Sequence, residues 1–208
     1  MQTELKNQPL RIGITGGIGS GKTTICKLFE TIGIPVYYAD AAAKHLMVHN
    51  PDLVSQIKAH FGTEVYTQSG ELNRAYLAGI VFHDEKKLKL LNSLVHPVVE
   101  KDAQAWHARQ QVAPYTLKEA ALIFESGSHR HLDRVIYVYA PLELRIKRVM
   151  ERDHVSREEV LARVRNQWPE EDKIALSDHV IINDNTLSVI QQVHKLHRRL
   201  CSMTKNNV

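Results

Sequence analysis

Cysteine, glycine and aromatic residues are all scarce in this chain, and each shortage narrows what it can be. Its 208 residues include only two cysteines, Cys26 and Cys201, too few for the disulfide framework that staples small secreted domains. A reducing, cytoplasmic setting is expected. The opening run MQTELKNQPL carries no apolar core of the secretory kind, and no apolar stretch approaches the roughly 18 residues of a membrane span. Lys and Arg number 27 against 23 Asp and Glu, a net charge of +4. That excess suits phosphate-bearing ligands but is too slight to argue for nucleic acid. Aromatic residues make up 6% of the chain and form no patch interleaved with basic ones, so no nucleic-acid partner and no membrane partner are expected. Repeats and low-complexity tracts are missing. One substantial core with a small helical insert is the expected scale, and a monomer is favoured although nothing in the chain specifies an oligomeric state.

Glycine is thinly spread except in one place. Four of the ten glycines crowd into Gly16-Gly17-Ile18-Gly19-Ser20-Gly21-Lys22-Thr23, which fits the phosphate-cradling pattern G-x-x-x-x-G-K-[ST]. Wrapping a backbone around an anion needs positive φ at several positions, which glycine alone adopts cheaply. The N–H groups of Gly17, Ile18, Gly19, Ser20, Gly21, Lys22, Thr23 and Thr24 then converge on the phosphates of a nucleoside triphosphate, and the helix that starts near Lys22 adds its positive end. Lys22 is the candidate to reach the outer phosphates, and the Thr23 hydroxyl is the candidate Mg²⁺ ligand.

The context is the one such a loop needs. Residues 10–15 (LRIGIT) read as a buried strand. Ile25, Cys26, Leu28, Phe29 and Ile32 recur at helical spacing from Lys22 to Ile32, with Gly33 and Pro35 as the stop. A second strand is expected over 35–38. Residues 41–112 turn helical, broken near Tyr66–Gly70. Strands return at 115–119, 134–140 and 179–183. Pro141 is placed to open a helix, a charged helical segment is expected over 153–173, and a last helix over 186–200. Strands alternating with helices predict an α/β doubly wound parallel sheet.

The loop alone does not select a reaction. No Asn-Lys-x-Asp run exists for reading a guanine base, and no long apolar strand ends in Asp as in large ATPases. Length, helical insert and an Arg-rich late segment fit a small-molecule kinase with a closing lid. Six of the 13 arginines fall between Arg145 and Arg165. Arg145, Arg148 and Arg152 share a helical face, and Gln167 follows Arg163 by one further turn. Bidentate phosphate recognition and a solvated face laced with ion pairs both account for this cluster, and spacing does not single out one arginine. Asp40, just past the second strand, suits either a helix N-cap before Ala41 or a group that orients an attacking hydroxyl.

Taken together these features resemble the dephospho-CoA kinase family over about residues 10–198. The carriers are ITGGIGSGKTT, YYAD ending in Asp40, GELNRAYLAGIVF with Arg74, LNSLVHPVV with His96-Pro97, KEAALIFESG, RVMERD, ARVRNQ and DHVIIND. The resemblance implies a three-layer P-loop NTPase fold with a helical acceptor-binding insert at 41–112 and a helical lid at 153–173. The remaining parts, 1–40, 113–152 and 174–208, would form the nucleotide-binding core. It implies transfer of the ATP γ-phosphoryl group to the ribose 3′-hydroxyl of dephospho-CoA. Asp40 then activates or orients the acceptor hydroxyl, with Lys22 and Arg148 as its catalytic companions. Arg152 belongs to the nucleotide side, and Arg74, His96, Glu119 and Arg163 to the substrate side. His96-Pro97 also reads as a helix boundary. Two departures stand out. Tyr38 replaces the usual acid two residues before Asp40, and Glu119-Ala-Ala-Leu-Ile replaces the usual Asp-Val-Pro-Leu-Leu. Glu119 keeps a carboxylate on a longer stem, so it and Glu125 both remain candidates near Mg²⁺.

Overall fold

The computed structural model describes residues 8–81 and 84–205. The first seven residues, read above for a signal core, lie outside the described residues, as does Phe82 of the GELNRAYLAGIVF stretch. Among the described residues no helix is long and apolar enough to cross a membrane. The chain divides into two compact units, residues 39–105 and the segments that flank them.

The flanking segments build the sheet. Strands β1 (Leu10–Thr15), β2 (Val36–Tyr38), β3 (Tyr115–Glu119), β4 (Arg134–Tyr139) and β5 (His179–Ile182) lie in the order β2-β3-β1-β4-β5, every pair parallel. Ile12 pairs in register with Leu117 on one side and Arg134 on the other. Strands of a parallel sheet are covered on both faces and read as nearly unbroken apolar runs. RVIYVY in β4 is such a run, with Val135 to Val138 all buried. Ile12 and Ile14 project to the face covered by α1 (Lys22–Thr31) and α9 (Val189–Lys205). There they meet Ile25, Cys26, Phe29, Val193 and Leu200. A smaller cluster of Ile123, Phe124 and Val135 forms separately.

The 39–105 unit contains α2 (Ala39–His49), α3 (Pro51–Phe61), a 3₁₀ turn, α4 (Arg74–Val81) and most of α5 (Glu85–Ala108). Local chemistry dictates its joints. Asn50 caps α3 by accepting from the Leu53 amide at 3.0 Å, with Pro51 in the first helical position. Asn73 does the same for α4, accepting from Tyr76 N–H at 3.2 Å. The turn expected near Tyr66–Gly70 is closed by an antiparallel bridge from Tyr66 to Leu72, and the Tyr66 hydroxyl donates to the Met47 carbonyl at 2.6 Å.

Five expectations are corrected. Helix α2 starts at Ala39, so Asp40 lies inside the first turn and is not an N-cap before Ala41. His96 and Pro97 fall within α5 and mark no boundary. The missing proline N–H costs one helical bond, and burial of Val95, Val99 and Ala103 holds the helix across it. Pro141 is the N-cap of α6 (Leu142–Asp153), one residue before the helix proper. The charged segment at 153–173 is two helices, α7 (Arg157–Arg165) and α8 (Glu170–Ala175). Helix α6 closes with His154 in the left-handed region at φ 55°, and Ser156 with Glu159 forms a reciprocal capping box that restarts the chain as α7. Pro169 then caps α8. The final helix starts at Val189 because Asp184 accepts from the Thr186 amide at 2.9 Å and its hydroxyl at 2.7 Å, making a turn first.

Burial on the central strand predicts a graded cost. Ile14→Ala should lower stability by about 2–5 kcal/mol in urea unfolding, the cost of a cavity in a packed core. Ile190→Ala, at a site 65% exposed, should stay within about 0.5 kcal/mol of the parent.

Candidate active site

The strand β1 ends at Thr15, six residues follow, and α1 opens at Lys22. Gly21 stands at the N-cap in the left-handed region, φ 90° and ψ 23°. A Cβ there would also strike the Asn183 side-chain amide, which donates to the Ser20 carbonyl at 2.8 Å. Both the backbone sign and the close approach require glycine. Within the loop, Ser20 N–H donates to the Gly17 carbonyl at 3.1 Å, and Ile25 N–H to Gly21 at 3.1 Å. The Ser20 hydroxyl is buried and has no hydrogen-bond partner among the described residues. Helix α1 has no side-chain cap and no acid in its first turn, whereas α7 has both. Its own cap and first turn therefore supply no negative charge to the positive end, which favours anion binding there.

Two side chains from the start of α1 define the chemistry. Lys22 Nζ donates to the Gly16 and Gly17 carbonyls at 2.9 and 3.3 Å. The Thr23 hydroxyl donates to Glu119 Oε1 at 3.3 Å. Glu119 ends β3, and its register partner is Tyr38, the last residue of β2. A hydroxyl beside a carboxylate is a hard-oxygen pair of the kind Mg²⁺ accepts, since that ion takes one or two carboxylates and fills its shell with water and phosphate oxygens. Among the described residues no three His, Cys, Asp or Glu side chains gather as an all-protein metal cage.

Nearby ionisable groups are held in their neutral forms. Burial, reinforced by Glu119, pushes the Cys26 thiol well up, so it is not a nucleophile at neutral pH. Burial, followed by a hydrogen bond with Glu30, likewise raises the Tyr38 phenol. The departure from an acidic residue at position 38 therefore leaves an uncharged hydroxyl.

The arginines of α6 separate by environment. Arg145, which sequence reasoning grouped with its neighbours, is buried: Nε donates to the Ala140 carbonyl at 2.9 Å, and Nη2 pairs with Glu170 at 3.2 Å. The signal was available, because Arg145 shares the inward face with Ile146 and Val149. Arg148 reaches the exit of β5, donating to the Asn183 carbonyl at 3.1 Å and Asn185 Oδ1 at 2.8 Å. Arg152 and Arg163 converge on one carboxylate, Asp153, at 2.7 and 2.9 Å. Hydrogen bonds from Arg152, then Arg163, hold the Asp153 carboxyl down at about 2. Arg157 forms a two-bond pair with Glu143, both distances 2.7 Å.

Gln167 is not one helical turn beyond Arg163, because α7 ends at Arg165. Instead its side chain turns to the loop and accepts from Ile18 N–H. Glu125 Oε1 accepts from Trp168 N–H at 3.0 Å and pairs with Lys173 at 3.4 Å, while Oε2 is buried with no hydrogen-bond partner among the described residues. That carboxylate is thus tied to the chain leading into α8. Asp40, Arg74 and His96 all belong to the 39–105 unit. Arg74 is the exposed first residue of α4, and His96 is half-buried midway along α5.

Comparison with known proteins agrees with this geometry. The family model for dephospho-CoA kinase matches residues 10–188. The dephospho-CoA kinase of Chlorobium chlorochromatii is 41% identical over 194 residues, covering 90% of this chain and 91% of that protein. A solved structure from Thermus thermophilus, 38% identical, superposes with a TM-score of 0.79 over 91% of this chain and 96% of its own. The dephospho-CoA kinase structure from Campylobacter jejuni does so at 27% identity with a TM-score of 0.68, over 95% and 98%. A glycine loop at the end of a central parallel strand, matched along nearly its whole surrounding chain, leaves a single assignment: the protein belongs to the dephospho-CoA kinase family.

Proposed function

We propose that the chain transfers the γ-phosphoryl group of ATP to the ribose 3′-hydroxyl of dephospho-CoA, completing coenzyme A. The observation that carries this reading is Lys22 and Thr23 opening an uncapped helix, with Thr23 against Glu119 on the neighbouring strand end. Of the amides at residues 17–24, that of Ile18 is taken by Gln167 Oε1, so the others would grip the phosphate chain, and Lys22 would leave the loop carbonyls for the outer phosphates. Thr23, with Glu119 beside it, would hold Mg²⁺. Bound there, the ion supplies charge neutralisation for the phosphate oxygens.

Asp40 lies two residues past β2 and is assigned to orient the acceptor hydroxyl and take its proton. Arg74 and His96 are assigned to the acceptor, Arg148 and Arg152 to the nucleotide phosphates, and Arg163 to the substrate side of the lid. An in-line displacement of this kind asks the protein for positioning and charge more than for covalent chemistry. A cytoplasmic setting is part of the same proposal, in keeping with the free thiols of Cys26 and Cys201, and a monomer is the favoured state.

Purified protein supplied with Mg·ATP should release ADP rapidly with dephospho-CoA and only slowly with AMP or dTMP. Equal turnover with all three acceptors, or none with dephospho-CoA from folded protein, defeats the assignment. Lys22→Ala and Asp40→Asn should each lower kcat by about 10²-fold or more, while their urea midpoints stay close to the parent. A near-normal kcat in Asp40→Asn would reduce that residue to a helix-start acid.

The Asp153 clip has a defined pH window. A carboxyl lowered from 3.8 to about 2 stabilises the fold above its unfolded value, and the contribution disappears as pH falls through about 2. Carbon-13 NMR titration of Asp153 should therefore show a midpoint near 2, moving up toward 3.8 in Arg163→Gln. An unchanged midpoint in the variant would remove Arg163 from the clip.

A further inference from the structure

Both ends of the Gln167 side chain are engaged. Oε1 accepts from Ile18 N–H at 3.1 Å, and Nε2 donates to the Ala121 carbonyl at 3.3 Å. That orientation is dictated by the partners, since an amide N–H needs an acceptor and a carbonyl needs a donor. The Thr15 hydroxyl donates to the same Ala121 carbonyl at 3.3 Å. One glutamine thus bridges the crown of the phosphate loop and the backbone just beyond β3, beside the end of β1.

Ile18 is held from a second side. Its side chain packs with Ile146 and Val149 of α6 and Val160 of α7. The only branched apolar residue among the loop glycines is therefore clamped at its amide by Gln167 and at its side chain by α6 and α7. Gln167 is itself presented from a fixed base. Lys173 and Glu125 pair with side chains 2% and 12% exposed, and Trp168 N–H donates to the same carboxylate. Glu170 accepts from the Tyr137 hydroxyl at 2.9 Å and pairs with buried Arg145. Arg145 in turn lies so close to the loop that a Cβ on Gly17 would overlap its guanidinium. Buried ion pairs of this kind contribute little net stability but hold direction well.

We propose that Gln167 is a positioning residue for phosphoryl transfer: by fixing the Ile18 amide it holds the crown of the loop in its nucleotide-binding shape and couples that shape to the lid. It touches no reacting atom and acts through the loop. The inference rests on the phosphotransferase reading of this site.

Two substitutions separate positioning from mere packing. Gln167→Met keeps the length of the side chain and loses both hydrogen bonds, whereas Gln167→Glu keeps the acceptor for Ile18. Calorimetric titration with Mg·ATP should show affinity about tenfold weaker in Gln167→Met, the loss expected for one or two net hydrogen bonds. Its kcat with dephospho-CoA should fall by a similar factor, while KM for dephospho-CoA stays within about twofold. Gln167→Glu should retain Mg·ATP affinity within about threefold, because a carboxylate still accepts from the amide. Parent-like affinity and kcat in folded Gln167→Met overturns the proposal, as does Gln167→Glu binding no better than Gln167→Met. Hydrogen exchange on the unmutated protein needs no variant to fold: the Ile18 amide should exchange slowly, and exchange at the unprotected rate also overturns it. Should the parent protein bind Mg·ATP with this variant pattern yet never phosphorylate dephospho-CoA, the acceptor assignment fails and the loop-positioning role stands.

Discussion

Parallel pairing of β1 between β3 and β4 is the constraint on which the site depends. A parallel sheet returns the chain to the same edge after every strand, so all carboxyl ends gather along one rim. The register makes this specific: Ile14 lies opposite Glu119 and Ile136, and Thr15 opposite Tyr137. The phosphate loop, the carboxylate that meets Thr23 and the carbonyl that meets Gln167 therefore leave the sheet side by side. A slip of β1 by one residue would turn Ile12 and Ile14 away from α1 and α9 and undo the core and the rim together. Apolar burial that stabilises the sheet thus also sets the spacing of its polar edge.

Behind the loop the protein uses polar groups where a core would ordinarily be apolar. Arg145, Glu170 and Tyr137 form one connected set, and Lys173 with Glu125 another. Burial and the neighbouring Glu170 charge raise the Tyr137 phenol, which keeps it a donor at neutral pH. Desolvating these charges offsets much of what their attraction contributes. What they supply is direction, since a guanidinium or an ammonium aimed by several partners has few alternative positions.

The legible parts were those with a period or a steric rule. LRIGIT before the glycines and the 22–32 helix pattern each have a single physical reading, and β1 and α1 follow them closely. The 153–173 segment was harder because charge masked its segmentation. Ser156 and Glu159 spell a capping box, and Pro169 a helix start, but an unbroken run of acids and bases supplies no apolar stripe to mark where one helix stops. Arg145 was misgrouped for the opposite reason: its charge argued for water, and only its place beside Ile146 and Val149 argued for the interior. Pro97 shows the limit of a local rule, since tertiary burial carried α5 straight through it. Contacts such as Gln167 with Ile18 link residues far apart in the chain, and no spacing rule reaches them.

Arg145 and Arg152, on one face of α6, meet opposite fates, and the difference suits the proposed reaction. The Arg145 side chain is 6% exposed and locked to Glu170, while Arg152 and Arg163 are 64% and 42% exposed around Asp153. An exposed pair is worth little in water. A polyphosphate offers more charge than one carboxylate and can take such arginines from Asp153 at small cost. A buried guanidinium has little freedom to change partners, because Arg145 would have to leave both Glu170 and the Ala140 carbonyl from a position closed to water. Helix α6 therefore carries a fixed cation beneath the loop, Arg145, and an exchangeable one near its end, Arg152, joined at Asp153 by Arg163 of α7; solvent exposure, more than residue type, separates the two kinds.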